Sequence, residues 1–280
     1  MTGTTLQPTV LVVGSLNVDL QLRMDRHPRT GETVMAGDLV RRFGGKGANQ
    51  AIAAAVAGAG AGMVGAVGDD AAGREYQHRL GSFGVDVAGI RAVDGATTGT
   101  AVICVDADHD NMIMVSPGAN HRLTTDDVSA ALRDIGPDDV VVLQLEVPLP
   151  VVEHTIRTAT DRGARVVANL APYADVEAEL LARCDPVVVN ETEHAGLQRA
   201  GIHCPSLLVT LGTSGSRWGP VAVPALAVEA VDSTGAGDAY VGTLAAALAA
   251  GADRGEAMRT ASAAAADCVA REGAQPDPPR

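Results

Sequence analysis

The sequence predicts an α/β fold: a doubly wound, mostly parallel sheet with helices on both faces, and a small β-sheet laid over it as a lid. Three observations predict it. From Thr125 onward, apolar runs of strand length alternate with helical stretches, the pattern of a parallel sheet whose crossovers are helices. The first apolar run, Thr9 to Val13, is continuous and stops at Gly14-Ser15, as a strand buried on both faces would. Between these regions, Gly99 to Asp106 and Met112 to Ser116 flank the polar turn Ala107 to Asn111, a hairpin that interrupts the alternation.

Taken in order, the first strand is followed by Asn17 and Asp19. They lie where open α/β sheets hold ligands, outside a strand C-terminus, and ordinary loop residues also lie there. Glu32 to Phe43 alternates loosely and reads as a strand of the small sheet, so the lid strands fall at about 19–43 and 97–116. Ala48 to Ala57 is a helix of small residues, Met63 to Val67 a strand and Ala72 to Leu80 a helix. Then come helix Thr125 to Ile135, strand Val140 to Leu145, helix Pro150 to Asp161, strand Arg165 to Asn169 and helix Val176 to Leu181. Strands Pro186 to Val189 and Leu207 to Leu211 follow, then an apolar approach, Ala225 to Val231, read as a strand. The helices Asp238 to Ala250 and Arg254 to Ala270 are Ala-rich and can pack closely, which lets a core form with few aromatics. No linker divides the chain, so residues 1–280 form a single domain with the lid strands inserted.

Composition excludes several functions. With 46% hydrophobic and 20% charged residues the chain is globular rather than disordered. A net charge of −13 and six aromatic residues argue against a nucleic-acid partner, which needs a basic face or a stacking platform. No apolar run spans a membrane, and Met1 to Pro8 lacks the basic start and apolar core of a signal peptide, so the expectation is a cytoplasmic protein. Cys104, Cys184, Cys204 and Cys268 are scattered, without the spacing of a zinc site, and fit reduced thiols.

The stretch Val231-Asp232-Ser233-Thr234-Gly235-Ala236-Gly237-Asp238 reads as strand, turn, helix. Its glycines let backbone N–H groups gather at a helix N-terminus, where the dipole adds positive character and phosphate binds. A carboxylate there is out of place for phosphate binding alone, so Asp238 suggests a base that takes a proton from an attacking hydroxyl. An Asp N-cap after a glycine turn accounts for the same residues equally well. Gly44-Gly45-Lys46-Gly47-Ala48-Asn49 opens another helix and offers donors at Lys46 and Asn49. It is not a Walker A loop, because Gly47 stands where Ser or Thr must follow the lysine. Gly60-Ala61-Gly62-Met63-Val64-Gly65 formally matches a dinucleotide fingerprint, but a helix precedes it and a strand runs through it, the reverse of the required context. Its glycines read as a helix stop.

Placed in order, these motifs are joined by Gly14 to Asp19, Pro28 to Thr33, Gln144-Leu145-Glu146, Asn190 to Glu193, Thr210-Leu211-Gly212 and Gly273 to Pro276. The set resembles the ribokinase family of carbohydrate kinases from about Val10 to Pro276. The resemblance implies a ribokinase-like fold and transfer of the ATP γ-phosphoryl group to a sugar hydroxyl, D-ribose at its primary 5-hydroxyl above all. Within the class, deoxyribose, a ketohexose or a nucleoside stays open as substrate. A sugar-binding regulator without transfer is the rival from another class, and an intact base beside an anion hole argues against it. By the same resemblance Asp238 is the base, and the N–H groups of Gly235, Ala236 and Gly237 form the anion hole. Asn17, Asp19, Gly45, Lys46, Asn49 and Glu146 hold the sugar. Asn190, Thr210, Gly212, Gly215, Gly237 and Ser262 belong to the nucleotide side, with Ser262 where relatives have His or Asn. Glu193 orders Mg²⁺ through water. Asp232, Thr234, Cys268, Arg271, Gly273 and Asp277, mostly through backbone, match a site for K⁺ or another monovalent cation, with Asp277 where relatives often have Ser. A homodimer through the lid sheet is also implied.

Two departures stand out, both on the nucleotide side. The segment after Glu193 is short by about one helix, with little room in Ser216 to Ala225 for the usual hairpin, and the chain stops after Pro279-Arg280 where relatives carry a further helix. Fewer walls around adenine would mean a high KM for ATP and poor rejection of GTP, with Trp218 the one aromatic near enough to stack on the base.

Overall fold

The computed structural model describes residues 10–108 and 110–279. Met1 to Pro8, and Thr9 of the first expected strand, lie outside the described residues, as do His109 of the hairpin turn and Arg280. The strands are β1 (Val10–Val13), β2 (Asn17–Arg23), β3 (Val40–Gly44), β4 (Ala61–Gly68), β5 (Asp86–Val93), β6 (Gly99–Val105), β7 (Asn111–Ser116), β8 (Val140–Leu143), β9 (Arg165–Asn169), β10 (Val187–Asn190), β11 (Leu207–Thr210), β12 (Ser216–Trp218) and β13 (Val221–Val223). The helices are α1 (Lys46–Val56), α2 (Ala71–Ser82), α3 (Thr125–Ala131), α4 (Leu149–Asp161), α5 (Ala178–Leu181), α6 (Glu191–Ala200), α7 (Ala236–Ala249) and α8 (Arg254–Val269). Among the described residues no helix is long and apolar enough to cross a membrane.

The large sheet has nine strands in the order β13-β12-β11-β10-β9-β8-β1-β4-β5, parallel throughout except for the pairs that β12 makes with β11 and β13. Each central strand is buried on both faces, which is why it reads as a continuous apolar run. In β1, Val10 and Val12 enter one core, with α1, α7 and α8, while Leu11 and Val13 enter the other, with α3, α4 and α6. Because β1 lies between β4 and β8, the chain reverses direction across the sheet there. The crevice outside the C-termini of β1 and β8 is therefore the place where this topology holds a ligand.

The small sheet has the order β3-β2-β6-β7. Here and at the far edge of the large sheet the structure corrects several expectations. Asn17 and Asp19, whose positions ordinary loop residues could also occupy, lie on β2, which starts two residues before the lid strand expected from about residue 19; it runs parallel to β6 and antiparallel to β3. Of Glu32 to Phe43, only the end forms a strand, since pairing stops at Gln21 with Val40, and Glu32 is instead folded back onto Arg26 and the N–H of Arg29. The hairpin for which Ser216 to Ala225 leaves little room does form, as β12 and β13, three residues each. Beyond it, Ala225 to Val231 is not a strand: no neighbour pairs with it, and Pro224 before it has no N–H to give. The helix stop before β4 is Gly58, in the left-handed region, rather than the later glycines. In strand β5 exposed and half-buried residues alternate and only Ile90 is buried, but its half-buried face carries Gly89 and Arg91 beside Val87 and Val93, so no apolar pattern in the sequence marks it.

Helices α1 and α7 cross where Gly242 faces α1. A Cβ at Gly242 would lie 2.2 Å from the Gln50 carbonyl oxygen and 2.7 Å from the Ala53 Cβ. Alanine would favour the helix by up to about 1 kcal/mol, but overpacking against backbone costs about 1–3 kcal/mol. Gly242→Ala is therefore expected to lower the denaturant midpoint at unchanged slope, and a raised midpoint would show that the helices can separate freely.

Candidate active site

Two helix N-termini converge on the crevice. Helix α1 starts at Lys46 after Gly45, whose φ is 87°, and α7 starts at Ala236 after Gly235, whose φ is 79°. A Cβ at Gly45 would lie 2.7 Å from the Asn17 nitrogen and one at Gly235 would lie 2.5 Å from the Ala274 Cβ. Positive φ and close approach together require glycine at both positions. Neither helix is capped by a side chain. The N-cap of α7 is Gly235, so Asp238 stands in the first turn and its carboxylate caps nothing, which removes the N-cap reading of that residue.

Asp238 is buried, 6% exposed. Its Oδ2 accepts from Asn49 Nδ2 and its Oδ1 from Gln50 Nε2, both at 2.9 Å. Burial pushes the carboxyl up, Lys46 and the two amides oppose that, and Glu146 adds to it. The Glu146 carboxylate bridges the two central strand ends: Oε2 accepts from Ser15 Oγ at 2.5 Å and from the Lys46 backbone N–H, in the first turn of α1, at 3.1 Å. Asp19 lies over the same space from β2, and burial first, then Glu146 and Asp238, push its carboxyl up to about 7. A Cβ on Gly44 would meet Asp19 Oδ2 at 2.0 Å, so that glycine is what admits the carboxylate. Asn17 is oriented by Asn120, whose Nδ2 donates to Asn17 Oδ1 at 2.8 Å. Burial works to lower the Lys46 ammonium, and Asp238, Glu146 and Glu193 together outweigh it and hold it above its ordinary value. A single lysine among several carboxylates gives a site rich in acceptors, suited to a neutral polyol that donates hydroxyl protons.

Asp19 lines a cleft of about 430 Å³ between the small sheet and the segments 231–234 and 272–274. A second cleft, of about 240 Å³, is lined by Lys46, Asn169, Asn190, Glu193, Thr210, Gly235, Gly237 and Asp238. Ser233 borders both. A Cβ on Gly237 would meet nothing within 4 Å, so the α7 turn opens into space, while the Ala236 N–H is turned partly to Ser233 O at 3.3 Å. Asn190 and Glu193 form a capping box, each accepting from the other's backbone N–H at 2.8 Å. That occupies Glu193 Oε2 and leaves Oε1 for a water-bound Mg²⁺, a fit with the acidic, half-enclosed cleft. Burial first, with Asp238, pushes the Glu193 carboxyl up against the Asn190 N–H and Lys46.

Gly212, Gly215 and Ser262 do not line either cleft. Gly215 has φ 96° and a Cβ there would strike Val223 O at 2.1 Å, so glycine is needed where the chain turns from β11 into β12, with the Leu211 N–H donating to the Gly215 carbonyl at 2.8 Å. Ser262 is buried on α8. Trp218 is 1% exposed, donates to Ser206 Oγ at 2.8 Å and lies under Arg254, so it is part of the core and cannot stack on a base.

Asp232 accepts from the Thr234 N–H and the Gly273 N–H, each at 2.9 Å, and these contacts with Arg42 outweigh burial and hold it below its ordinary range. The Cys268 thiol reaches the carbonyl oxygens of Thr234 at 3.5 Å and Ala274 at 3.9 Å. The carbonyl oxygens of Thr234 and Ala274 thus lie near one another beside the thiol, hard donors of the kind a monovalent cation takes, while both oxygens of Asp232 already accept from backbone N–H groups. The Gly273 carbonyl accepts from Arg271 instead, and Asp277 is exposed outside this group. Among the described residues no cluster of three or more His, Cys, Asp or Glu side chains could hold a metal ion.

Ser15, Gln50, Asn120, Gln144, Asn169 and Gln275 support the site without a role assigned from sequence. Gln50 was legible in principle: a buried amide in an otherwise Ala-rich helix demands partners.

The sequence matches the pfkB family carbohydrate kinase pattern over residues 7–280. It is 35% identical over 277 residues to the ribokinase of Bacillus subtilis, covering 95% of this chain and 94% of that protein. It is 34% identical over 289 residues to the deoxyribokinase of Salmonella typhimurium, covering 95% and 94%. The structure of Arabidopsis thaliana ribokinase complexed with ribose and ATP is similar at a TM-score of 0.86 and 30% identity, over 96% of this chain and 95% of that one.

Proposed function

The chain belongs to the pfkB family of carbohydrate kinases, with the ribokinase-like fold and ATP-dependent sugar kinase activity, and from that premise we propose that its substrate is D-ribose, phosphorylated at the 5-hydroxyl. The observation that carries the reading is Asp238, buried and uncapped beside the open Gly235 to Gly237 turn, bonded to Asn49 and lining one cleft while Asp19 lines the neighbouring one that shares Ser233 with it. Asn17, Asp19, Gly45, Lys46, Asn49 and Glu146 grip the sugar. Asp238 takes the hydroxyl proton as the oxygen bonds to the γ-phosphorus, and ADP leaves. The Gly235, Ala236 and Gly237 N–H groups and Lys46 meet the charge that develops on the transferring oxygens. Asn190, Thr210 and Gly237 face the nucleotide phosphates.

Glu193 would hold Mg²⁺ through water, and bound there the ion would neutralise phosphate charge. Asp232 with the carbonyls of Thr234 and Ala274 would hold K⁺, which would brace the anion-hole turn. K⁺ is accordingly expected to raise the rate more than Na⁺; equal rates in K⁺-free and K⁺-containing buffer would remove this site.

The exposed apolar row Met112, Ile113, Met114 and Val115 on edge strand β7 supports a homodimer through the small sheet, which acts as a lid. The free cysteines support a cytoplasmic location. An ADP-release assay across pentoses, hexoses and nucleosides tests the substrate. ADP release greatest with D-ribose is expected. A sugar that binds without any ADP release would favour the regulator reading, and a preference for deoxyribose or a nucleoside would move the assignment within the class.

A further inference from the structure

Asn and Gln amides can be turned end for end, so their orientation has to be argued from a partner that plays only one role. The buried neighbours of Asp238 have such partners at the outer end of both chains. On one side, the Val188 carbonyl can only accept, so Asn169 turns Nδ2 to it, at 3.3 Å, and presents Oδ1 to Gln50 Nε2 at 3.1 Å. Gln50 must then direct Nε2 to Asp238 Oδ1 at 2.9 Å and Oε1 to Gln144 Nε2 at 2.6 Å. On the other side, the Arg79 guanidinium can only donate, so Gln275 turns Oε1 to it at 2.8 Å and gives Nε2 to Asn49 Oδ1 at 2.9 Å. Tyr76 enforces the same choice: its hydroxyl donates to the Gly44 carbonyl and so accepts from Gln275 Nε2 at 2.9 Å. Asn49 then has Nδ2 left for Asp238 Oδ2, at 2.9 Å.

We propose that Gln50 and Gln275 are positioning residues for the proton acceptor: two amide chains, each oriented at its outer end by a group with a single role, give one N–H to each oxygen of Asp238, which keeps the buried carboxylate ionised and aims its remaining lone pairs at the cleft. Gln50 is 0% exposed and its amide is fully engaged, so it does not touch the sugar. The inference rests on Asp238 being the base.

The test is the acid limb of kcat against pH, at saturating sugar, ATP and K⁺. Using kcat separates the limb from titration of Asp19, which acts on sugar binding. Lys46 on α1, Glu146 after β8, Asp19 on β2, Glu193 on α6 and Cys268 on α8 also face Asp238, and they are the same in wild type and variant. Gln50→Met removes one donor to a charged acceptor, so the limb should move up by about one pH unit. Above the limb kcat should return to within about threefold of wild type, and the sugar KM should change by less than about threefold, because the amide acts on the reaction only through the proton acceptor. Gln275→Met, on the opposite arm, should move the limb the same way and carries the test if Gln50→Met does not fold. If Asp238→Asn is inactive yet neither variant moves the limb, or kcat falls equally at every pH, the positioning role is overturned while the base stands. If Asp238→Asn keeps its kcat, the base and the positioning role fall together.

Discussion

Asp238→Asn is expected to lower kcat at least about a hundredfold, on the scale of general-base contributions, with the sugar KM changed far less. The side chain keeps its shape but can no longer take the proton. Both neighbours of the carboxylate are N–H donors, Asn49 Nδ2 and Gln50 Nε2. An asparagine amide can satisfy only one of them, because its own NH₂ must face the other. The variant is therefore also expected to unfold more easily, by about 1–3 kcal/mol for a buried donor left without an acceptor. The two effects are separable. The loss of kcat is measured at saturating substrates well below the melting temperature, and the loss of stability by denaturant titration. Near wild-type kcat would remove Asp238 from the mechanism, whatever the stability.

Asp19→Ala should raise the sugar KM by about 1–3 kcal/mol of lost charged hydrogen bonding, roughly fivefold to a hundred-and-fifty-fold, with kcat at saturation affected less. The structure adds a pH dependence to this. Burial and the neighbouring Glu146 and Asp238 push the Asp19 carboxyl up to about 7, well above the ordinary 3.8. A raised acid is protonated as pH falls through its folded value, so below about 7 Asp19 progressively loses the acceptor capacity proposed to hold the sugar. Sugar KM is thus expected to climb as pH falls from about 8 to about 6 in the wild type, measured at constant ionic strength and saturating ATP. In Asp19→Asn, which does not titrate, that climb should disappear. An unchanged ribose KM in Asp19→Ala would show that the sugar lies elsewhere, and an equal climb in Asp19→Asn would assign the titration to another group.

Much of the fold was legible because the physical causes are local. The continuous apolar runs of β1, β8, β9 and β10 are buried on both faces, and outside a membrane no other environment tolerates them as strands. The Ala-rich stretches become α7 and α8 because small side chains let two helices pack closely. The elements that local pattern misassigns are those whose state is set by a distant partner. Residues 32–39 alternate loosely as a strand would but find no strand to pair with, while Asn17 to Arg23, within or beside the stretch 19–43 expected to hold lid strands, is held in the small sheet by β6, some eighty residues later.

The candidate site divides in the same way. By itself the sequence determined which groups are available: Asp238 after a Gly-Ala-Gly turn, Lys46 and Asn49 after paired glycines, Asn17 and Asp19 after the first strand. Residue type and spacing are enough for that, because a glycine turn feeding a helix exposes its N–H groups wherever it lies. Only the tertiary structure decided what each group does next. It made Gly235 the cap of α7, leaving the Asp238 carboxylate without a capping role, and it brought Asn49 and Gln50 to that carboxylate across some 190 residues of sequence. It also buried Trp218 in the core and set Gly215 in the turn that leads from β11 into β12. The physical reason is that a hydrogen bond or a burial depends on where two groups meet in space, and short-range pattern carries no information about the far partner.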